Sequence, residues 1–193
     1  MKARLLVGAV AAGLMALGTS AHAAPIAAGS VLSLSGRDSY TATSLAFTNP
    51  ENIGAGSGSF ATLAPLPCNG CATMIASLTA ATPLGSSLYT GHNLANTITT
   101  DLLLTSVPVF SFVDGALPNL TVTGKGTLDL TGFDPTPGSY ILTTQGPTGT
   151  EVTFSVTSIA LAAAPEPASL AILGGALAAM GGLARRRRKA AQR

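Results

Sequence analysis

The chain has 193 residues and a formal net charge of +2, with 9% charged residues, 22 glycines and two cysteines. The positive charge is concentrated at the two ends: residues 24–164 contain only Arg37 and Lys125 as bases against seven acids, which gives that segment a net charge of −5. This composition excludes a basic surface for nucleic acid. The segment is long enough for one domain with a sizeable core.

The N-terminus has the three parts of a signal peptide. Lys2 and Arg4 precede an apolar run from Leu5 to Leu17, and Ala21-His22-Ala23 places small residues at positions −3 and −1 of a cleavage site. Signal peptidase is therefore expected to cut between Ala23 and Ala24. The predicted organisation is a signal helix over 1–23, a folded body over 24–164 and a C-terminal segment over 165–193.

The first half of the body contains short strand-like segments separated by turn residues. We predict strands over Val31–Ser35 and Ser39–Thr48, with a turn at Gly36-Arg37-Asp38 between them. Gly54–Ser59 is predicted to be a flexible loop. It does not fit a phosphate-binding glycine loop, because no strand precedes it and no helix follows it. Further strands are predicted at 73–78, 87–90, 102–107 and 109–113.

The second half of the body alternates more regularly. From Leu120 to Gly132 apolar or glycine positions alternate with polar ones, which is the period of a half-buried strand. Strands over 139–145 and 151–161 follow, each after a turn rich in proline and glycine. No segment of the body has helical periodicity. The predicted fold class is all-β, an antiparallel β-sandwich of the jelly-roll or Ig-like type, with a small barrel as the alternative.

Cys68-Asn69-Gly70-Cys71 is the sharpest local motif of the body. Asn-Gly favours a two-residue hairpin turn, which would set Cys68 and Cys71 opposite each other. In an exported chain with two cysteines we predict a disulfide between them. Free or labile thiols, a redox pair and half of a metal site are the alternatives; the last lacks two ligands.

Catalytic residues are sparse in the body. His92 is its one histidine, and no Gly-x-Ser-x-Gly motif is present. Asp129 with Asp134, and Asp101 with Asp114, are the candidate carboxylate pairs, but neither has calcium-loop spacing. We therefore predict a non-enzymatic protein without a cofactor or metal. A triad assembled from distant residues stays open.

The C-terminal segment has three parts in a fixed order. Pro165-Glu166-Pro167 precedes an apolar run from Ala168 to Ala184, and a basic cluster follows, formed by Arg185, Arg186, Arg187, Arg188 and Lys189. As a helix the run spans about 25 Å, the short end of what crosses a bilayer. The sequence predicts one transmembrane helix over 168–184, with the basic cluster on the cytoplasmic side as the stop-transfer signal. An ordinary C-terminal membrane anchor is the alternative.

This order of parts resembles the PEP-CTERM sorting signal of Gram-negative bacteria, a motif also catalogued as an ice-binding protein C-terminal domain. The resemblance covers under a sixth of the chain. It implies that an exosortase, a membrane cysteine transpeptidase, recognises Pro165, Glu166 and Pro167 and cuts near them. It also implies an inner-membrane intermediate, followed by an outer-surface or extracellular-matrix location with exopolysaccharide or biofilm.

These features indicate two candidate functions. The first is an exported, non-enzymatic surface or matrix protein that signal peptidase and an exosortase process. The alternative is a carbohydrate- or protein-binding module at the cell surface. An exported hydrolase, requiring His92 or a pair of aspartates, is a third reading. Ice binding is not expected, because the sequence lacks long Thr-x-Thr ladders.

Overall fold

The computed structural model describes residues 23–162 and Gly174. The chain divides into two compact units, residues 1–162 and 163–193, and the fold described here belongs to the first. Its described residues form one short 3₁₀ helix, Gly58–Leu63, and eleven strands: β1 (Val31–Tyr40), β2 (Ser44–Phe47), β3 (Glu51–Gly56), β4 (Cys68–Met74), β5 (Ser77–Thr79), β6 (Ser87–His92), β7 (Thr99–Leu104), β8 (Val109–Val113), β9 (Asn119–Leu130), β10 (Thr136–Gln145) and β11 (Val152–Ala160).

Eight of these strands close into an antiparallel barrel. Their order is β1-β3-β4-β6-β7-β9-β10-β11, and β11 returns to pair with β1 from Val31↔Ile159 to Asp38↔Val152. The all-β prediction is confirmed, but the predicted sandwich is wrong: the fold is a barrel. A sandwich and a barrel share the same inward and outward alternation. They differ in whether the first and last strands pair, and local sequence does not determine that.

Two barrel strands are long enough to change neighbours along their length. The first half of β1 pairs with β3 through Ser35↔Asn52, whereas its last residues, from Asp38 on, pair with β2. β5 extends this sheet beyond β2. In β9 the first half pairs with β8 and the second half with β7. β2, β5 and β8 therefore lie outside the closed ring of eight strands and extend the sheet at one end of the barrel.

Large side chains fill the barrel interior because glycines face them. A Cβ on Gly124 would lie 2.5 Å from the Tyr140 hydroxyl oxygen, and one on Gly138 would lie 2.6 Å from Leu128 Cδ1. Both distances are shorter than real Cβ contacts, so these glycines leave the space that the larger side chains occupy. The core contains the following fully buried large side chains: Tyr40, Tyr89, Tyr140, Phe60, Ile26, Leu32, Leu34, Leu45, Ile53, Leu63, Leu78 and Leu88.

The alternation predicted for the second half of the body is confirmed. In β9 Leu120, Val122, Leu128 and Leu130 are buried, and the polar residues between them are half-buried or exposed. The inward glycines interrupt the apolar series without changing its period of two. Strands β10 and β11 likewise match the predicted segments closely.

Two predictions for the first half of the body are wrong. The turn expected at Gly36-Arg37-Asp38 is absent, because β1 runs through it and turns only after Tyr40. The loop expected at Gly54–Ser59 is instead the end of β3 and the start of the 3₁₀ helix, which buries Phe60 and Leu63. Glycine marks close packing at these positions: a Cβ on Gly56 would lie 2.7 Å from the carbonyl oxygen of Phe60.

The predicted signal helix and transmembrane helix lie outside the described residues. Within the described part of the chain, no helix has the length and apolar character that crossing a membrane requires.

Candidate functional site

A pocket of about 600 Å³ opens on the outer wall of the barrel, where β6, β7 and β9 are neighbours. Its floor follows the strand register. Thr90 pairs with Asp101, and Asp101 pairs with Asp129, which gives one continuous row. A second row contains His92, Thr99 and Thr131, in which the two threonine hydroxyl oxygens are 3.0 Å apart. The pocket therefore presents carboxylate, imidazole and hydroxyl groups side by side.

Two turns form the walls of the pocket. The β6–β7 turn contributes Asn96, which has a left-handed backbone with φ of 54°. Asn93 fixes this turn, because its Oδ1 accepts from the backbone N–H groups of Thr97 at 2.9 Å and Ile98 at 3.1 Å. The β9–β10 turn contributes Phe133 and Pro135. One wall is thus polar and the other carries apolar rings.

Asp101 and Asp129 form a cross-strand carboxylate pair. Ser87 Oγ donates to Asp101 Oδ1 at 2.5 Å, which holds that carboxylate in place. Burial raises the pKa of Asp129 above its ordinary value, and the neighbouring Asp101 charge raises it further. Asp129 is only half-buried, so water and ligand hydroxyls can reach it.

His92 contributes one ring nitrogen to a local contact. Its Nδ1 lies 3.0 Å from the Asn93 carbonyl oxygen, which the protonated Nδ1 tautomer would satisfy as a donor. In that tautomer Nε2 is the acceptor that remains for a ligand. His92 is the last residue of β6; it is half-buried and lines the pocket.

The structure places one candidate acid from each of the two weighed sets side by side. Asp129 stands beside Asp101, whereas Asp134 lies past the end of β9, where its backbone N–H donates to the carbonyl oxygen of Ala24 at 3.0 Å. Asp114 is in an exposed turn, where its Oδ1 accepts from the Gly115 N–H at 2.9 Å. Register across the sheet, and not spacing along the sequence, therefore decides which of these acids are neighbours.

The sequence prediction did not single out Thr90, Thr99, Thr131 or Phe133 as site residues. Thr90 and Thr99 alternate with inward residues of β6 and β7, whereas Thr131 and Phe133 follow the end of β9. That alternation becomes informative only when the strand neighbours are known.

A row of hydroxyl side chains crosses the outer wall at a distance from the pocket floor. It follows the register of β8, β9, β10, β11 and β1 and consists of Ser111, Thr121, Thr143, Ser155 and Ser35. All five are half-buried or exposed. The row itself is therefore polar without charge.

Cys68 and Cys71 form a disulfide, with Cα atoms 5.6 Å apart. The hairpin turn predicted at Asn69-Gly70 is wrong, since both residues lie within β4. The register with β3 shifts there, from Glu51↔Ala72 to Ile53↔Cys68, so the cysteines flank a bulge. The Asn52 side chain fills the irregularity by accepting from the Gly70 N–H at 2.9 Å.

Most predicted processing residues lie outside the described part of the chain: Ala21, Pro165, Glu166, Pro167, Arg185, Arg186, Arg187, Arg188 and Lys189. Ala23 and Ala24 are described, and both are exposed. Ile26, two residues after the predicted cut, is buried, and its N–H donates to Thr136 Oγ1 at 2.8 Å. The chain is therefore fixed to the barrel from Ile26 onward.

No group of three or more potential metal ligands occurs among residues 23–162 and Gly174. No family model, no curated protein and no solved structure matches the chain.

Proposed function

We propose that the chain is an exported, non-enzymatic protein of the cell surface or extracellular matrix, and that its barrel binds a polyhydroxylated ligand of the exopolysaccharide class. Signal peptidase removes residues 1–23, and an exosortase processes the C-terminal signal at Pro165-Glu166-Pro167. In this proposal the apolar segment 168–184 holds the intermediate in the inner membrane before that step.

The outer-wall pocket is the observation that carries the binding proposal. Its volume, about 600 Å³, lies in the ordinary range for small-ligand sites. Asp101 and Asp129 can accept from sugar hydroxyls, and O–H···O⁻ bonds are shorter and stronger than neutral ones. Thr99 and Thr131 can donate or accept. Phe133 offers an aromatic surface for the C–H face of a pyranose ring.

The neutral hydroxyl row supports a polymer as the ligand. A neutral polysaccharide chain that leaves the pocket across the outer wall meets hydroxyl groups, so it would exchange hydrogen bonds with water for similar bonds with protein. Such contacts are individually weak but add along a chain.

The binding proposal predicts that Asp101→Asn/Asp129→Asn lowers affinity for glycans. A hydrogen bond to a charged group contributes about 1.5–3 kcal/mol and one to a neutral group about 1 kcal/mol, so loss of each charge is expected to weaken binding by about tenfold at most for each bond. The measurement is a glycan array, followed by calorimetry on the best ligand. Asp114→Asn, which removes one exposed acid far from the floor, is the matched control.

Two results would contradict this proposal. Equal glycan affinity of the double variant and the Asp114→Asn control would show that the pocket does not bind the glycan. Cleavage of the bound glycan, lost in His92→Ala or Asp129→Asn, would make the protein a hydrolase.

The sorting proposal has a separate test. Changing Pro165-Glu166-Pro167 to three alanines is expected to leave uncleaved protein in the inner membrane of the native host, because the extended recognition segment is gone. Mass spectrometry of the mature chain reads both cleavage sites and any attached group. Normal processing of the alanine variant would exclude exosortase recognition at this motif.

A further inference from the structure

A seam opens between β1 and β3 where β1 changes its neighbour. Ser35↔Asn52 is the last pair of the β1–β3 ladder, and the β1–β2 ladder begins at Asp38. Arg37 lies between the two ladders. Its N–H donates to Glu51 Oε2 at 3.2 Å, so a side chain takes the place of a strand partner. We call residues 36–38 of β1 and Glu51 the seam.

Gly36 makes this arrangement possible. A Cβ built on Gly36 would overlap the Glu51 carboxyl group, so only glycine leaves room for it. Asp38 lies two residues further along the same strand, on the same inward face. The two carboxyl groups are therefore neighbours within the barrel wall.

Both acids are buried without full hydrogen bonding. Asp38 is 0% exposed and Glu51 is 1% exposed. Thr144 Oγ1 donates to Asp38 Oδ1 at 2.9 Å, but Asp38 Oδ2 and Glu51 Oε1 have no partner among the described residues. A buried ionised carboxylate that lacks partners is strongly disfavoured.

The surrounding elements supply no compensating positive charge within the described residues. The Arg37 guanidinium points to solvent, with a 68% exposed side chain, and lies 3.4 Å from Glu151. The Tyr40 hydroxyl is bonded to the carbonyl oxygen of Pro118 at 2.8 Å. Thr144 is the neutral contact from β10, and β2, β4 and β11 contain no charged residue.

These surroundings favour the protonated acids. Burial raises the pKa of Asp38 to about 6, although the Thr144 hydrogen bond opposes it. Burial also raises the pKa of Glu51 to about 6; the Arg37 N–H lowers it, while the charges of Asp38 and Glu151 raise it further.

We propose that Asp38 and Glu51 form a pH-operated latch on the seam, closed while both carboxyl groups are protonated and released as they ionise. Each carboxyl loses one proton to solvent. Two like charges then face each other with unpartnered oxygens, and the least costly relief is entry of water between β1 and β3. The β2–β5 extension, which is attached through β1, loosens with the seam.

Hydrogen exchange on the full-length protein tests the latch. After correction for the intrinsic base-catalysed rate, exchange at the Arg37 amide is expected to rise at least about tenfold between pH 5 and pH 7.5. Amides of the β9–β10 ladder, such as Leu142, should keep their protection. They are the internal control.

Glu51→Gln and Asp38→Asn imitate the protonated acids. The double variant is expected to lose the pH dependence at Arg37 and to stay protected at pH 7.5. Glu151→Gln, which removes an exposed acid and keeps both seam residues, should retain most of the pH dependence. If the double variant does not fold, a ¹³C carboxyl titration of the unmodified protein replaces it, with both midpoints expected near pH 6.

Three results would overturn the proposal. One is equal Arg37 protection at both pH values, and a second is titration of both acids near pH 4. The third is restoration of protection at pH 7.5 by added Ca²⁺, which would make the pair a cation site instead.

Discussion

Two pairs of acidic side chains lie on opposite faces of the same barrel wall. Asp101 and Asp129 stand on the outer face, where water reaches them and Ser87 holds one carboxylate. Asp38 and Glu51 face the interior, are fully buried and keep two oxygens without partners. The pairs have the same chemical groups and differ in burial.

That difference decides what each pair can do. An outer carboxyl group is open to water and to a ligand, whereas burial raises the pKa of each interior acid to about 6. A strand residue takes one environment or the other according to which side of the strand it occupies.

Two adjacent residues of β10 differ greatly in exposure because they lie on opposite faces of the strand. Leu142 is 0% exposed and Ile141 is 49% exposed. Leu142→Ala is expected to lower the free energy of unfolding by about 2–5 kcal/mol, because it leaves a cavity in the barrel. Ile141→Ala should cost less than about 1 kcal/mol. Denaturant melts of both variants give the comparison, and similar losses would mean that the two faces are not distinct.

The interior acids predict a pH dependence of stability. Their pKa values are higher in the folded state than in the unfolded state, so the folded state binds more protons between about pH 4 and pH 6. Stability should be greatest below that window and should fall as pH rises through it, by about 2–4 kcal/mol. Thermal melts from pH 4 to pH 8 measure this fall. Asp38→Asn/Glu51→Gln should remove most of it, and stability that instead rises over this range would contradict the interior assignment.

The disulfide joins Cys68 and Cys71 within β4, the strand that pairs with β3. Cys68→Ser/Cys71→Ser is expected to lower the free energy of unfolding by about 2 kcal/mol, the chain-entropy value for so short a loop. Unfolding of the oxidised and reduced protein, with a thiol assay on each, measures it. Serine replacements avoid new thiol chemistry, and two free thiols in the untreated protein would exclude the bond.

The outer pair predicts the smallest effect. Asp101→Asn should lower the pKa of Asp129 only partly towards its ordinary value, because burial is the larger cause and the Asp101 charge the smaller. A ¹³C titration of the Asp129 carboxyl group follows the change. A complete return to the ordinary value would show that repulsion, and not burial, controls the site.

The strand pattern of the second half of the body was readable from sequence, because inward and outward residues alternate over long segments between proline and glycine turns. The predictions for the first half were wrong at 36–38 and at 54–59, because Gly36 and Gly56 permit close packing there rather than a turn or a flexible loop. Asp129 could be placed on the polar face of a predicted strand, but Asp101 lay outside the strand predicted at 102–107, and nothing local indicated that the two acids are neighbours.

The sequence alone determined the all-β class, the acidic body and the predicted processing segments at its two ends, since these depend on local composition and period. Tertiary structure decided the closure by β1 and β11, the pairing of Asp101 with Asp129 and the burial of Asp38 beside Glu51. Each of these depends on which distant strands become neighbours. That choice is set by the packing of the whole interior, and no local segment contains it.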